Sequence, residues 1–182
     1  MKGVYSSVEL LSELIRRTVD VGMNNHYIAD VKFKYALSRA KECDQEREEA
    51  KKAGKEVGLL HGIPISLKDQ IFVKGCASNM CQSHNLYLPV EEDATLVTIL
   101  KRAGAIPFVK TTTPVSGTIE TNSYLWGMAK NPLDPSISPG GSSGGEAGLV
   151  ASRASILGLA VDLGGSVRAP AAMCGVPGFF PT

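Results

Sequence analysis

The sequence is short of the features that usually betray a chemistry at sight. It holds only three histidines, His26, His61 and His84, none beside a convincing aspartate partner, so a Ser-His-Asp triad has little to build on. Its 182 residues carry 19 basic and 18 acidic side chains, and a net charge of +1 offers no field to gather phosphate backbones or an anionic bilayer. A direct nucleic-acid partner is disfavoured on that ground. Nowhere does the chain reach the roughly 18 uninterrupted apolar residues of a membrane span. The opening Met1-Lys2-Gly3-Val4-Tyr5 has neither the apolar run nor the small-residue cleavage site of a signal peptide, and a cytoplasmic location is expected, with membrane association left to segments outside the chain. Cys43, Cys76, Cys81 and Cys174 are too scattered for a disulfide scaffold, and no second Cys or His pair completes a zinc spacing; reduced, mostly buried thiols are expected, and no metal.

What is present suffices for one ordinary core, since 43% of the residues are hydrophobic. Ser6 followed by Glu9 reads as a capping box, and Val8, Leu10, Leu11, Leu14 and Ile15 form an apolar stripe at helical spacing. A short strand is expected over residues 27–31, then a long helix rich in Ala, Lys and Glu over 32–55. Residues 62–69 read as a buried strand that emerges at Lys68. Asp93 is placed to cap a helix carrying Leu96, Val97, Ile99 and Leu100 and closed by Gly104, before a strand over 106–109. A Gly/Ser run precedes an Ala-rich helical stretch, and a second buried strand over 156–163 delivers Gly164-Gly165-Ser166, with a short helix running to Cys174. This βαβ rhythm predicts an α/β fold, a mixed sheet covered by helices.

Pro139-Gly140-Gly141-Ser142-Ser143-Gly144-Gly145-Glu146, taken alone, could be a flexible linker. Its context argues otherwise, because a strand and a second Gly-Gly-Ser follow within one helix length. Glycines permit positive φ and bring amide N–H groups close to a bound group. Neither phosphate pattern, G-x-x-x-x-G-K-[ST] nor G-x-G-x-x-G, is present. Acyl hydrolysis would need a nucleophile, a base and oxyanion donors. With histidine weak, Lys68 is the candidate base: at the end of a buried strand it can be desolvated, although bringing it from about 10.4 to between 7 and 8 requires roughly 4 kcal/mol. The plain alternative is a solvated surface lysine.

Residues 62–69, the Gly140 to Glu146 loop and Asp162-Leu163-Gly164-Gly165-Ser166-Val167-Arg168 resemble the amidase signature family over most of the chain, from about Ser7 onward. The resemblance implies that Ser166 is the nucleophile, that Ser142, held by a cis peptide, relays its proton, and that Lys68 receives it. It further implies an oxyanion hole of backbone N–H groups from Leu163, Gly164, Gly165 and Ser166, a supporting hydroxyl from Ser143 that hydrogen-bonds the relay, and Asp162 with Arg168 as partners that fix the nucleophile loop. Asp162 and Arg168 could equally be an ordinary loop ion pair. Glu146 and the Ile106-Pro107-Phe108-Val109-Lys110-Thr111 segment look closer to fatty-acid amide hydrolases and aliphatic amidases than to the tRNA-dependent amidotransferase A subunit, which typically has a small residue where Glu146 stands.

Family members generally run to several hundred residues. The expectation is therefore a single amidase signature domain over residues 1–182, the N-terminal catalytic part, with the C-terminal half missing. The implied activity is a hydrolase that cleaves carboxylic, including fatty-acid, amides of a small-molecule substrate without metal or organic cofactor. A homodimer is left open. Two rival readings stand beside it: a glutamine-dependent amidotransferase subunit using the same relay, and a non-catalytic remnant that keeps the fold as a binding piece.

Overall fold

A computed structural model describes residues 5–181; the expectations placed on residues 1–4 and on Thr182 lie outside the described residues. The chain enters through α1 (Ser7–Arg17), where the Ser6 hydroxyl accepts the Glu9 N–H at 3.1 Å and the Glu9 carboxylate accepts the Ser6 N–H at 2.8 Å. The capping box thus satisfies two amides that a helix start otherwise leaves unpaired. A π-helical turn, Thr18–Gly22, carries the helix on, and β1 (Ile28–Val31) then leads into α2 (Phe33–Lys52). Asp44 of α2 accepts the Ser7 and Val8 amides at 2.7 and 3.1 Å, so one helix caps the other.

β2 (Pro64–Lys68) is followed by α3 (Thr95–Arg102) and β3 (Ile106–Thr111), a right-sized crossover between parallel strands. A small antiparallel pair, β4 (Asn122–Ser123) and β5 (Gly127–Met128), precedes α4 (Gly144–Ala151), β6 (Gly158–Leu159) and α5 (Arg168–Met173). The main sheet has the order β1-β3-β2-β6; β2 is parallel to both neighbours, whereas β1 is antiparallel to β3. Every residue of β2 and β3 is buried, as expected for inner strands covered on both faces. Leu11, Leu14, Ala36, Ala40, Phe108 and Leu149 join α1, α2 and α4 to β3 in one core, and Ile65, Leu67, Val73, Val97 and Ala105 pack α3 on β2 in another. The mixed sheet with helices on it is the α/β arrangement the rhythm predicts.

Two local expectations are corrected. Asp93 does not cap α3: Ala94 holds the cap position, and the Asp93 carboxylate instead accepts the Lys74 N–H at 2.8 Å and the Lys101 ammonium at 2.6 Å. A charged partner within reach outcompetes a neutral cap amide. The strand over 156–163 shrinks to Gly158–Leu159, with Ile156, Val161 and Leu163 well exposed. Among the described residues this strand is bonded only to β2, and an apolar run by itself does not tell a core strand from an edge. The four cysteines are buried and unpaired, as expected, and burial pushes the Cys76 and Cys174 thiols up to about 11. No helix among the described residues is long and apolar enough to cross a membrane.

α4 meets the residue before β1 closely at Gly148, where an added Cβ would overlap the ring of Tyr27, a fully buried side chain whose hydroxyl donates to the Lys130 carbonyl at 2.6 Å. Gly148→Ala is therefore expected to destabilise by about 1–3 kcal/mol despite the better helix propensity of alanine, lowering Tm by several degrees in thermal denaturation.

Candidate active site

The last residue of β2 is Lys68, whose side chain is completely buried and whose Nζ lies 2.6 Å from Ser142 Oγ. Its register partner on β3 is Thr111, and strand alternation puts Ser66, Lys68 and Thr111 on one face of the sheet. Burial disfavours the ammonium and brings Lys68 down to about 8, while the charges of Asp162 and Glu146 oppose that fall. The drop corresponds to roughly 3 kcal/mol. Such a lysine exchanges roles near neutral pH: charged, it donates to the Ser142 hydroxyl, and neutral, its lone pair can accept that hydroxyl's proton.

A second buried lysine sharpens the assignment. Lys110 is the register partner of Leu67 and so points to the opposite face, where its Nζ donates to the Asp69 carbonyl at 2.7 Å and lies 4.0 Å from the Asp69 carboxylate. Burial lowers Lys110 too, but Asp69 holds it toward the charged form. Lys68 has a hydroxyl where Lys110 has an acid.

Ser142 follows a cis Gly141–Ser142 peptide. Its loop is held by two threonines: Thr113 Oγ1 donates to the Ser142 carbonyl at 3.2 Å, and Thr121 Oγ1 donates to the Gly140 carbonyl at 2.9 Å while accepting the Gly144 N–H at 2.8 Å. Gly140 adopts φ +77°, and a Cβ there would press on Met173 Sδ at 2.7 Å and Pro170 at 3.2 Å, both of α5. That close approach is what seats the Ser142 loop against the helix that Ser166 introduces. Asn131 reinforces the junction by donating to the carbonyls of Ser138 and Met173 at 3.3 and 2.9 Å.

Ser166 lies half-buried in the turn before α5, and its hydroxyl makes no hydrogen bond among the described residues. The turn is tied by Asp162, which accepts from the Gly165, Val167 and Arg168 amides at 2.6, 3.0 and 3.2 Å and from the Arg168 guanidinium at 2.9 and 3.0 Å. The guanidinium above all, then these amides, hold the Asp162 carboxyl well below the usual carboxylate range. One oxyanion expectation is thereby corrected: the Gly165 N–H is already spent on Asp162. The amides of Leu163, Gly164 and Ser166 have no acceptor among the described residues. A further correction concerns Ser143, whose buried Oγ has no hydrogen-bond partner, so it does not bond the Lys68–Ser142 pair.

Sequence reasoning missed the groups that brace this face. Glu146 of α4 is buried between Ser66 and Thr111; the Thr111 hydroxyl donates to its Oε2 at 2.6 Å, the Ser66 hydroxyl donates to Oε1, and Ser66 also bonds Ser155 at 2.7 Å. The available signal was a serine inside an apolar strand and the Thr111-Thr112-Thr113 run at the end of another. An open groove lined by Val115, Ser116, Thr118, Ile119, Glu120, Asn122 and Tyr124 flanks Gly117, where a Cβ would lie 4.0 Å from Ser142 Oγ. Another groove, over Val31, Phe33, Tyr35 and Gly75, involves none of these residues. Cys43, Glu46 and His61 place ligand atoms within 4.8 Å of one another, yet Arg39 already holds Glu46 at 2.6 and 3.0 Å and His61 Nε2 bonds the Cys43 carbonyl at 2.9 Å.

The family described as Amidase matches residues 9–182. An amidase of Gibberella moniliformis is 39% identical over 182 residues, 99% of this chain and 34% of that protein. Fatty-acid amide hydrolase 1 of Sus scrofa is 47% identical over 126 residues, 69% of this chain and 22% of its own length. Among solved structures, the peptide amidase from Stenotrophomonas maltophilia superposes with a TM-score of 0.85 at 30% identity, over 94% of this chain and 36% of that one. The chain spans about a third of the length of the curated relatives it matches.

Removing the Asp162 charge should loosen the turn that carries Ser166. In Asp162→Asn, amide hydrogen exchange at Gly165, Val167 and Arg168 is expected to accelerate at least about tenfold while exchange in β2 and β3 stays slow. Unchanged protection at those three amides would show that Asp162 does not hold the turn.

Proposed function

The chain belongs to the amidase family, and from that premise we propose that it cleaves the carboxylic amide bond of a small molecule through an acyl-enzyme on Ser166, with Ser142 and Lys68 relaying the proton. The observation that carries the reading is the 2.6 Å contact between a fully buried, acid-free lysine and the Ser142 hydroxyl. A general base is most effective when its pKa lies near the working pH, and a Lys68 brought down to about 8 meets that condition.

In this scheme the Ser166 hydroxyl attacks the substrate carbonyl, its proton passes to Ser142 Oγ, and the proton of Ser142 passes to neutral Lys68. The N–H groups of Leu163, Gly164 and Ser166 donate to the developing oxyanion, each such donor typically worth about 10²- to 10³-fold in rate. Lys68, now an ammonium, returns the proton through Ser142 to the leaving amine as the C–N bond breaks. Water then attacks the ester on Ser166, and the same relay takes and returns its proton. No metal or organic cofactor enters the scheme. The link between Ser142 and Ser166 closes with substrate bound; catalytic hydrogen bonds are often long until then. Packing of the Gly140 turn against α5 supports that closure.

An apolar acyl group is favoured by the 47% identity to a fatty-acid amide hydrolase, while the groove next to Gly117 sets Val115, Ile119 and Tyr124 among the polar Ser116, Thr118, Glu120 and Asn122. In the same reading residues 1–182 form the catalytic part of one amidase domain.

A fluorophosphonate should label the protein at Ser166, and Ser166→Ala should abolish labelling. Lys68→Ala is expected to lower amide turnover by at least about 100-fold with Tm retained. Because the folded pKa of Lys68 is depressed, its base form accumulates as pH rises, so turnover should climb through about pH 8 in the wild-type protein and lose that limb in Lys68→Ala. Labelling that persists without Ser166, or near-normal turnover without Lys68, would overturn the relay. Ammonia release from glutamine in preference to other amides would assign the same relay to an amidotransferase.

A further inference from the structure

Glu146 is a carboxylate with no cation bonded to it, set inside the fold next to the base. It rises from α4, four residues after Ser142, and its side chain enters the face of the sheet shared by Ser66, Lys68 and Thr111. Two hydroxyls, from Ser66 and Thr111, donate to its two oxygens, and Ser155 completes the cluster through Ser66. On the far side, Gly158 of β6 opposes it: a Cβ at that position would overlap Glu146 Oε1, so the edge strand makes room for the acid by having no side chain there. Three separate elements, β2, β3 and β6, are thus shaped around one carboxyl group.

We propose that Glu146 is a positioning residue for Lys68: pinned by Ser66 and Thr111, its carboxylate counterbalances the ammonium that forms when Lys68 takes the relayed proton. This rests on the amidase reading above. The physical argument is one of balance. Burial alone would leave Lys68 a willing base but a lysine unable to retain the proton long enough to deliver it to the leaving amine. A negative charge held on the same face of the sheet by Ser66 and by Thr111, the register partner of Lys68, restores the charged form without forming a salt bridge that would lock it. Burial also raises Glu146, to about 7, with its two hydroxyl donors pulling the other way, so the carboxylate is present in the range where Lys68 titrates. The other charges facing the pair are Asp162, which also favours the Lys68 ammonium, and Lys110 across the sheet, which favours the Glu146 carboxylate. Lys110 has its own acid in Asp69, leaving Glu146 to Lys68.

The test measures the Lys68 titration directly, by ¹³Cε NMR of lysine-labelled protein with the resonance assigned through its loss in Lys68→Arg. Glu146→Gln keeps the shape but removes the charge, one of the two hydroxyls turning to accept from the new amide, and the Lys68 midpoint is expected to fall by about one pH unit, together with the acid limb of fluorophosphonate labelling at Ser166. Thr111→Val, which keeps the acid but removes one donor to it, should move the midpoint in the same direction by less. A midpoint that stays in place or rises overturns the inference, and if labelling still depends on Lys68 the relay stands without it. A midpoint that falls while neither protein labels at Ser166 supports the coupling of Glu146 to Lys68 and overturns the relay instead.

Discussion

An ammonium group taken out of water at the end of an inner strand is the constraint around which this structure is organised. Lys68 has no acid bonded to it, and in a close-packed interior the cost of its charge falls on the protonation equilibrium rather than on the fold. The group then sits near the point where gaining and losing a proton are equally easy. Everything close to it serves to keep that condition: a hydroxyl at 2.6 Å instead of a carboxylate, an acid placed further off on α4, and β2 and β3 buried along their length so that water does not restore the ordinary value.

The contrast with Lys110 shows how finely strand alternation distributes roles. The two lysines lie on neighbouring strands of one sheet, equally buried, yet one residue of register sends them to opposite faces. On one face a lysine meets Asp69 and becomes a structural cation. On the other it meets Ser142. Burial alone therefore does not fix what a lysine does; whether an acid lies within reach decides how firmly its proton is held.

The loop that carries Ser166 is built by a different device. Asp162 gathers three backbone amides and a guanidinium within six residues, so the turn around Ser166 keeps its shape although Leu163 and Gly164 lie open to solvent. The same knot takes the Gly165 amide out of the set that can face a substrate oxygen. Rigid support and available donors compete for the same short stretch of backbone, and in this loop the support has claimed one of them.

Much of this was legible in the chain itself. The capping box, the long α2 and the parallel β2 and β3 follow from local periodicity and short-range hydrogen bonding, which need no knowledge of the rest of the fold. The loop serines and the strand-end lysine could be picked out by residue type, and the roles proposed for them come from resemblance to a family. Tertiary structure decided what depends on distant partners. It gave Asp93 to Lys101 rather than to a helix cap, cut the strand over 156–163 to a two-residue edge, and left Ser143 unpaired. It also brought Glu146, Ser66 and Thr111 together, residues up to 80 positions apart whose meeting no local pattern encodes. The division has one cause: covalent neighbours interact in any conformation, whereas a pKa, a hydrogen-bond acceptor or a free amide is a property of whatever packs against a group once the chain has closed around it.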